Sequence, residues 1–412
     1  MIKDFQVVVI GGGASGMMAA IAAANSGKSV VILEKNKRFG EKLRITGGGR
    51  CNIWNEEHDE RLLLSNYGDS SKFLFSSFAR FGLEETIDFF HNLGLDTKVE
   101  AKKRAFPASE KAEDVVSVLE NEIKRLKIPV HFNESVISLG YEHGEVTHIK
   151  TNSSFYEADS YILATGGKSK PETGSTGDGF RFLKQIGHKV VEPTPTITPL
   201  EVKEAWIKKL SGTTLENVRI TFKSDNTKPL RLEGNILCTH FGISGPLILN
   251  NAYKVDNMLE KGNVTAHIDA YPNMNEKELD SFVVSTLEPH GAKQLKNTLR
   301  YILPAGTLPA FKILLLGINF DMNTADLTKE QRLHIVRTLK DMSCTITKLM
   351  GYDRAVVADG GVKISEIDMK TMQSSKASNL YITGDLLHIN RPSGGYSLQL
   401  CWTTGYLAGD SA

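Results

Sequence analysis

The sequence is poor in cysteine and has no pair of cysteines at the CxxC spacing of zinc and redox sites. Its four cysteines, Cys51, Cys238, Cys344 and Cys401, are scattered over 412 residues. Because so few dispersed cysteines cannot form a disulfide framework, we predict unpaired thiols in a reducing cytoplasm. No histidine–carboxylate spacing indicates a metal site, so no metal ligand is predicted.

Long hydrophobic runs and an excess of charge of one sign are also missing. No apolar run approaches the roughly 20 residues that a membrane helix needs, and the first residues lead into a strand-like run instead of a signal peptide. Lys and Arg number 49, Asp and Glu 48, and the formal net charge is +1. This balance gives no electrostatic reason to expect nucleic acid or an anionic membrane. The sequence therefore predicts a soluble cytoplasmic protein that has neither as a partner.

A complete dinucleotide-binding pattern opens the chain. The apolar run Gln6–Ile10 predicts a strand buried on both faces, and Gly11, Gly13 and Gly16 follow at GxGxxG spacing before an alanine-rich helix. A second apolar strand ends at Glu34, about 20 residues beyond the turn, where an acid can accept ribose hydroxyls. Because an acid here disfavours a 2′-phosphate, FAD or NAD is predicted over NADP.

Features further along the chain favour FAD over NAD. The RITGGGRCN loop at 44–52 follows the nucleotide strand, and SYILATGG at 160–167 and NLYITGD at 379–385 predict further strand ends at the ligand-binding edge of a parallel sheet. Asp385 there can hydrogen-bond a ribityl chain or cap a helix. The GSTGDG stretch at 174–179 has the reverse glycine spacing and no clean strand before it. NAD(P)H, if used, must therefore dock without a Rossmann domain of its own.

These motifs together resemble a known family. The segments GGGASG, RITGGGRCN, THFGISGP (Thr239–Pro246), TMQS (Thr371–Ser374) and the terminal TGD and SGGYSLQ resemble those of the BaiN/YhiN-type FAD-binding flavoproteins, also described as aminoacetone-oxidase-like. The resemblance covers essentially the whole chain. It implies an α/β fold: a glutathione-reductase-type Rossmann FAD domain built from both chain ends, with an inserted domain that is part β-barrel and part helical.

The predicted domain organisation follows from this resemblance and from the local patterns. The predicted parts are the FAD domain at 1–193 and 351–412 and the inserted domain at 194–350, which is helical near 275–342. A proline-rich stretch at 192–199 suits the crossing between them. Val130–Phe132 is predicted to join a small meander, Glu276–Ile302 to be mainly helical, and Thr328 to begin a capping box.

The resemblance also implies which residues hold FAD. They are Gly11, Gly13, Ala14, Ser15 and Gly16 at the pyrophosphate, Glu34, Lys35 and Val136 at the adenosine end, Thr165 and Gly166 beside the nucleotide, Asp385 at the ribityl–phosphate region, and Arg44, Gly48, Gly49, Arg50, Cys51, Asn52, Gly394, Gly395, Tyr396 and Gln399 on the flavin side.

One segment departs from the family pattern. Between Asp385 and Gly394 the family usually has an acidic stretch, whereas this chain has LLHINRPS, with His388, Asn390 and Arg391. If the segment borders the flavin, its more positive charge disfavours a cationic amine substrate and leaves room for an anionic one. The alternative is that these side chains face solvent.

The predicted function is that of an FAD-dependent oxidoreductase, which transfers a hydride between the flavin and a small organic substrate bound between the two domains. NAD(P)H is a candidate transient electron donor. His240 and His388 are candidate proton donors and Cys51 is a candidate nucleophile or redox partner. The more common role of such histidines is an ordinary polar contact, and that of such a cysteine is a packed thiol.

Three alternatives stay open. The first is an amine oxidase that uses oxygen, and the second is an NAD(P)H-dependent reductase of an activated double bond. The third is a flavoprotein that binds FAD for structure or redox sensing without turnover. A flavin-dependent RNA-modifying enzyme is less favoured because the net charge is near zero. The sequence leaves the substrate and the oligomeric state open.

Overall fold

The computed structural model describes residues 5–412, which form two compact units. The first unit runs to Pro195 and resumes at Val356, and the second is Thr196–Ala355. The first unit is therefore assembled from two separate stretches of sequence, whereas the second is continuous.

The first unit is built on a sheet of five parallel strands. In spatial order they are Val130–Phe132, Val30–Glu34, Val7–Ile10, Ser160–Leu163 and Leu380–Ile382. The central strands are buried on both faces, which accounts for their continuous apolar sequences. The strand order is that of a mononucleotide-binding Rossmann half, in which the chain reverses direction across the sheet after its third strand. Short antiparallel strands, Gln373–Ser374 and Ile367–Asp368, extend the sheet beyond Leu380–Ile382.

Two helices from opposite ends of the sequence pack against each other in this unit. They are Ala14–Asn25 and Tyr396–Ser411. A Cβ atom at Gly405 would lie 2.4 Å from the carbonyl oxygen of Ser15, and one at Gly409 would lie 2.1 Å from that of Ala19. Only glycine permits this approach of the two backbones. The last helix is therefore an integral part of the first unit.

The other described elements of the first unit are short. Its remaining strands form a three-stranded sheet (Trp54–Asn55, Arg104–Pro107 and Thr97–Glu100), a meander (Val136–Glu142, Glu145–Thr151 and Phe155–Tyr156) and an antiparallel pair (Val190–Pro195 and Ala358–Val362). Its remaining α-helices are Glu41–Ile45, Glu60–Ser65, Ser71–Phe78, Leu83–Asn92, Ala112–Arg125 and Asp178–Gln185.

The strand Val130–Phe132 differs from its prediction. It does not belong to the meander but pairs in parallel with Val30–Glu34 at the edge of the main sheet, with Val130 opposite Ile32. The helix Ala112–Arg125 directly precedes it. A strand reached through a helix can return parallel to the sheet, whereas a hairpin connection would make it antiparallel.

The second unit combines a closed six-stranded barrel with helices. In order around the barrel the strands are Leu200–Val202, Gly242–Ser244, Leu230–Cys238, Thr214–Lys223, Val264–Asp269 and Met342–Leu349. Alternate residues of Val264–Asp269 are buried, as the filled interior of a small barrel requires. The helices are Ala205–Lys208, Pro246–Leu249, Ala252–Leu259, Glu276–Leu287, Leu295–Thr298, Leu308–Leu314 and Lys329–Lys340.

Two helix predictions in this unit have different outcomes. The helical segment predicted to run to Ile302 is interrupted after Leu287, because Pro289 has no amide hydrogen to continue the helical ladder. The capping box at Thr328 is confirmed. The Gln331 amide donates to the Thr328 hydroxyl at 3.2 Å, and the Thr328 amide donates to Oε1 of Gln331 at 3.0 Å.

The predicted α/β fold with an inserted barrel and helices is confirmed. Within residues 5–412, no helix is both long and apolar enough to cross a membrane.

Candidate cofactor site

A cavity of about 430 Å³ lies at the carboxyl edge of the parallel sheet. Residues that end or follow four of the parallel strands line it, among them Ile10, Leu33, Ala164 and Asp385. In open α/β sheets, ligands bind beyond the carboxyl ends of the strands, where the strand order reverses. The volume is within the range of small-molecule and cofactor sites. Position and size therefore identify a candidate nucleotide site.

The glycine turn after the first strand brings backbone close to this cavity. Gly11 has a φ of +106°, and a Cβ there would lie 2.5 Å from the carbonyl oxygen of Ala164. A Cβ at Gly16 would lie 1.9 Å from the carbonyl oxygen of Gly11, so this residue serves close packing of the helix. Gly13 differs, because a Cβ there meets no atom within 4 Å and the residue lines the cavity. Its missing side chain leaves space for a ligand.

Two long helices begin at the cavity. Ala14–Asn25 and Tyr396–Ser411 both start without a side-chain cap, and Ser15 and Ser397 in their first turns line the cavity. The first amides of a helix have no partner within it, and its N-terminus carries a partial positive charge. The two helix ends can therefore bind phosphate oxygens.

Glu34 connects the glycine turn to the end of the second strand. Its carboxylate is 6% exposed and accepts hydrogen bonds from the amides of Gly12 at 2.6 Å and Asn36 at 2.7 Å. A carboxylate has further lone pairs, so Glu34 can still accept ribose hydroxyls. The ammonium of the adjacent Lys35 donates to Oδ2 of Asp178 at 3.0 Å.

A charged cluster, made of Lys42, Asp385 and Arg391 and called here the Asp385 cluster, forms another part of the site. Oδ2 of Asp385 accepts from the Lys42 ammonium at 3.0 Å, and Oδ1 accepts from the Arg391 guanidinium. Lys42 and Asp385 line the cavity. Burial opposes ionisation of Asp385, but the charges of Lys42 and Arg391 outweigh it and hold the pKa of its carboxyl well below its usual range.

Thr165 lines the cavity, but its Oγ1 atom is buried and has no hydrogen-bond partner among residues 5–412. A Cβ on Gly179 would lie 2.3 Å from this oxygen, so the hydroxyl lies against the helix Asp178–Gln185. The amide donors for phosphates and the carboxylate for ribose together fit a dinucleotide such as FAD.

The cavity brings together about half of the residues predicted to hold FAD. They are Gly11, Gly13, Ala14, Ser15, Glu34, Lys35, Val136, Thr165, Gly166 and Asp385.

The two arginines of the RITGGGRCN loop do not line the cavity. Arg44 is paired with Glu113 and, at 3.1 Å, with Glu120. Arg50 is paired with Glu100, and its guanidinium lies 4.2 Å from the centre of the Phe106 ring. Both arginines are neutralised by carboxylates, so neither directs an unpaired charge at this cavity.

Thr46 of the loop lines the cavity, but the other loop residues that were candidates for FAD do not. Gly48 and Gly49 are exposed, and the Asn52 amide donates to backbone carbonyls. Cys51 is fully buried, and burial raises the pKa of its thiol to about 12. The thiol therefore stays protonated at neutral pH, which disfavours a role as nucleophile.

The residues predicted near the start of the last helix also lie outside the cavity lining. Gly394 and Gly395 pack against the strand Trp54–Asn55. The Tyr396 carbonyl accepts from the Tyr67 hydroxyl at 2.9 Å. Gln399 is fully buried and its amide donates to neighbouring helix groups, so its contacts are structural.

The two candidate histidines belong to different units. Nε2 of His388 lies 3.5 Å from Oδ1 of Asp359, a buried oxygen that accepts no hydrogen bond within the described residues. Asn390 is exposed. His240 is exposed in the barrel unit, with its ring 4.9 Å from that of Phe241. No group of three or more His, Cys, Asp or Glu side chains within residues 5–412 could hold a metal ion.

Sequence reasoning missed several residues of the cavity wall. Lys42 belongs to no recognisable sequence motif, and only the fold places it beside Asp385. The GSTGDG stretch has reversed glycine spacing and no clean strand before it, yet Gly174, Ser175 and Asp178 line the cavity. A signal was present, since the stretch ends in the helix Asp178–Gln185 and small residues before a helix favour close approach of a ligand.

Known proteins with similar sequences support a single family. A family model described as the HI0933-like protein Rossmann domain matches residues 5–411. The chain is 31% identical over 410 residues to the 3-dehydro-bile acid delta(4,6)-reductase of Clostridium scindens, which covers 99% of this chain and 98% of that one. It is 26% identical over 405 residues to the ribosomal RNA dihydrouridine synthase of Escherichia coli, which covers 98% of this chain and 97% of that one.

Solved structures show the same fold at lower sequence identity. The structure of a 3-ketosteroid-delta4-(5alpha)-dehydrogenase from Rhodococcus jostii RHA1 matches with a TM-score of 0.55 and 14% identity. The match covers 100% of this chain and 97% of that one.

Proposed function

The chain belongs to the HI0933-like family of FAD-binding Rossmann proteins and is an FAD-dependent oxidoreductase, and from this premise we propose that it reduces a carbon–carbon double bond conjugated to a carbonyl group. The proposed substrate is a small organic molecule, and NAD(P)H is the proposed electron donor. The family match confirms the resemblance to the BaiN/YhiN type that the motifs indicated.

The observation that carries this proposal is the 31% identity, over nearly the full length of both chains, to a reductase of 3-dehydro-bile acids. A 3-dehydro group is a ketone, and double bonds at positions 4 and 6 are conjugated with it. The name of the Escherichia coli relative, a dihydrouridine synthase, denotes saturation of a uracil double bond that is likewise conjugated with a carbonyl. The names of these two relatives denote unlike substrates but the same type of reduced bond. They therefore support the proposed type of bond more strongly than they support either substrate.

The first unit supplies groups suited to hold the cofactor. Bound FAD, once reduced by NAD(P)H, would supply the hydride for this reduction. In our proposal the N-termini of Ala14–Asn25 and Tyr396–Ser411 bind its phosphates, and Glu34 accepts a ribose hydroxyl.

His388 is the proposed source of the proton that completes the reduction. Its imidazole is 35% exposed, so it can exchange protons with solvent, and its Nε2 atom lies 3.5 Å from Oδ1 of Asp359. His240 remains a second candidate in the barrel unit. Cys51 is not proposed, because its buried thiol stays protonated.

An anaerobic titration of the purified holoenzyme tests the proposal. NADH or NADPH should bleach the flavin absorption band, and a 3-keto-4,6-diene steroid acid should then restore it, with one equivalent of substrate reduced per flavin. The matched saturated 3-ketone should leave the flavin reduced. The proposal is wrong if neither nucleotide bleaches the band and the dienone fails to reoxidise a chemically reduced flavin.

The same preparation separates the alternatives. Hydrogen peroxide formed from aminoacetone in air would indicate an amine oxidase. A flavin that reacts with neither nucleotides, dienones nor amines would indicate a redox sensor.

A second candidate function is reduction of uridine in ribosomal RNA, which the full-length match to the Escherichia coli relative favours. The balanced charge still argues against a long nucleic acid as partner, and the absence of such a partner stays a prediction. Ribosomal RNA and the steroid should be offered to the reduced enzyme in parallel. Dihydrouridine formed in the RNA, with the steroid unchanged, would establish the second function over the first.

A further inference from the structure

Arg391 is a buried arginine whose partners are all in the first unit. Its side chain is 2% exposed. It donates to the carbonyl of Ile389 at 2.7 Å, to the hydroxyl of Ser397 at 3.1 Å and to Oδ1 of Asp385. Burying a guanidinium is costly unless a carboxylate compensates it, so Asp385 is the partner that makes this position tenable.

The Asp385 cluster contains one more cation than its carboxylate can neutralise. Lys42, on the helix Glu41–Ile45, reaches the carboxylate oxygen that Arg391 leaves free. Cys401 is a further titratable group facing Asp385, and burial raises the pKa of its thiol to about 12, so it is neutral at pH 7. Two cations and one anion give the cluster a formal charge of +1.

This charge lies next to the N-terminus of the helix Ala14–Asn25. The Thr383 hydroxyl donates to the Ser15 hydroxyl at 3.2 Å, and a Cβ on Gly384 would lie 2.9 Å from that same oxygen. Asp385 follows directly in sequence and lines the cavity with Ser15. A lone carboxylate here would repel the phosphates that the helix end attracts.

We propose that Arg391 is a cofactor-positioning residue, which converts the Asp385 cluster from a neutral pair into a net cation that anchors the diphosphate of FAD. The proposal rests on the FAD site proposed above. It gives the LLHINRPS segment a function, because Arg391 from this segment acts on the cofactor through Asp385 and not by contacting the substrate.

A series of variants that change the charge of the Asp385 cluster tests this inference. The binding of FAD to each apoprotein is measured by the quenching of flavin fluorescence. Arg391→Met removes one cation and leaves the cluster neutral, so the dissociation constant should rise about 10- to 100-fold. Adding Asp385→Asn to that variant restores the charge of +1 through Lys42 and should recover most of the affinity. Arg391→Lys should stay near the wild type.

Controls separate charge from structure. Riboflavin has no diphosphate, so its affinity should not change in Arg391→Met. Arg332 makes a two-point ion pair with Asp280 in the barrel unit, and Arg332→Met should leave FAD affinity unchanged. If Arg391→Met does not fold, Lys42→Met makes the same charge change at a side chain that is 25% exposed. It must then show the same loss of FAD affinity.

Three outcomes would overturn the inference. They are an unchanged FAD affinity in Arg391→Met, a double variant that binds no better than the single one, and a shifted flavin midpoint potential at unchanged affinity, which would place the charge at the ring. Each leaves the proposed function intact, since wild-type apoprotein would still bind FAD. Failure of the wild type to bind FAD would instead contradict the proposed function itself.

Discussion

Replacement of Gly13 by alanine should separate cofactor binding from folding. The added methyl group meets no protein atom within 4 Å, and the φ of −85° suits any residue. Two small effects on stability oppose each other. Alanine restricts the unfolded chain, which stabilises by about 0.4–1 kcal/mol, but it is a poorer N-cap than glycine by a similar amount. The free energy of unfolding should therefore change by less than about 1 kcal/mol.

The effect on FAD should be much larger. Gly13 lines the cavity directly before the helix whose amides face the proposed diphosphate. A methyl group there holds the phosphates away from at least one amide, and a hydrogen bond to a charged group contributes about 1.5–3 kcal/mol. The dissociation constant should rise by about 10- to 100-fold. Apoprotein melting and fluorescence titration with FAD measure the two quantities on one sample.

Gly16→Ala is the matched control with the opposite expectation. Its Cβ would lie 1.9 Å from the carbonyl oxygen of Gly11, so the helix or the turn must move. Overpacking of this kind costs about 1–3 kcal/mol, and a lower melting temperature should precede any effect on binding. If Gly13→Ala bound FAD as tightly as the wild type, or melted as early as Gly16→Ala, the proposed role of the glycine turn would be refuted.

Three further predictions concern titration, thiols and a helix cap. The pKa of Asp385 is lowered in the folded state, so its ionised form adds stability that is fully present above the ordinary pKa of about 4 and is lost as the pH falls. Asp385→Asn should therefore flatten the acid side of a plot of melting temperature against pH. An unchanged slope would contradict this prediction. Cys401, the one partly exposed cysteine of the four, should be alkylated before the others, and bound FAD should protect it from alkylation. In Cys51→Ala, NAD(P)H should still reduce the flavin. Thr328→Ala should destabilise the barrel unit by about 1 kcal/mol in thermal melts, with Thr347→Ala on the exposed barrel surface as the control.

Much of the fold could be predicted because its signals are local. The central strands are continuous apolar runs, and the glycine spacing requires a tight turn followed by a helix. The local sequence around Val7–Ile10 is therefore sufficient to predict the strand, the turn and the helix. The edge strand Val130–Phe132 has only three residues, and so short a run carries no information about the direction in which it pairs.

The site was less predictable, because its charges depend on partners from distant segments. Arg44 and Arg50 stand in a glycine loop that follows the nucleotide strand, which made them candidates for the cofactor. The carboxylates that neutralise them, such as Glu100 and Glu120, come from other elements. Arg391 could be recognised as a departure from the family pattern, but its pairing with Asp385 appears only when the chain is folded.

The packing of the first and last helices has a consequence for synthesis of the protein. Gly405 and Gly409 bring Tyr396–Ser411 against Ala14–Asn25, and the strand Leu380–Ile382 completes the parallel sheet. The nucleotide unit therefore cannot close on the ribosome until residues 380–411 have emerged, whereas the barrel unit is complete in sequence at Ala355. During translation the strand Ser160–Leu163 must wait with one edge unpaired, and the helix Ala14–Asn25 must wait for the last helix that packs against it. FAD would then bind late and act as the last component to consolidate the nascent chain.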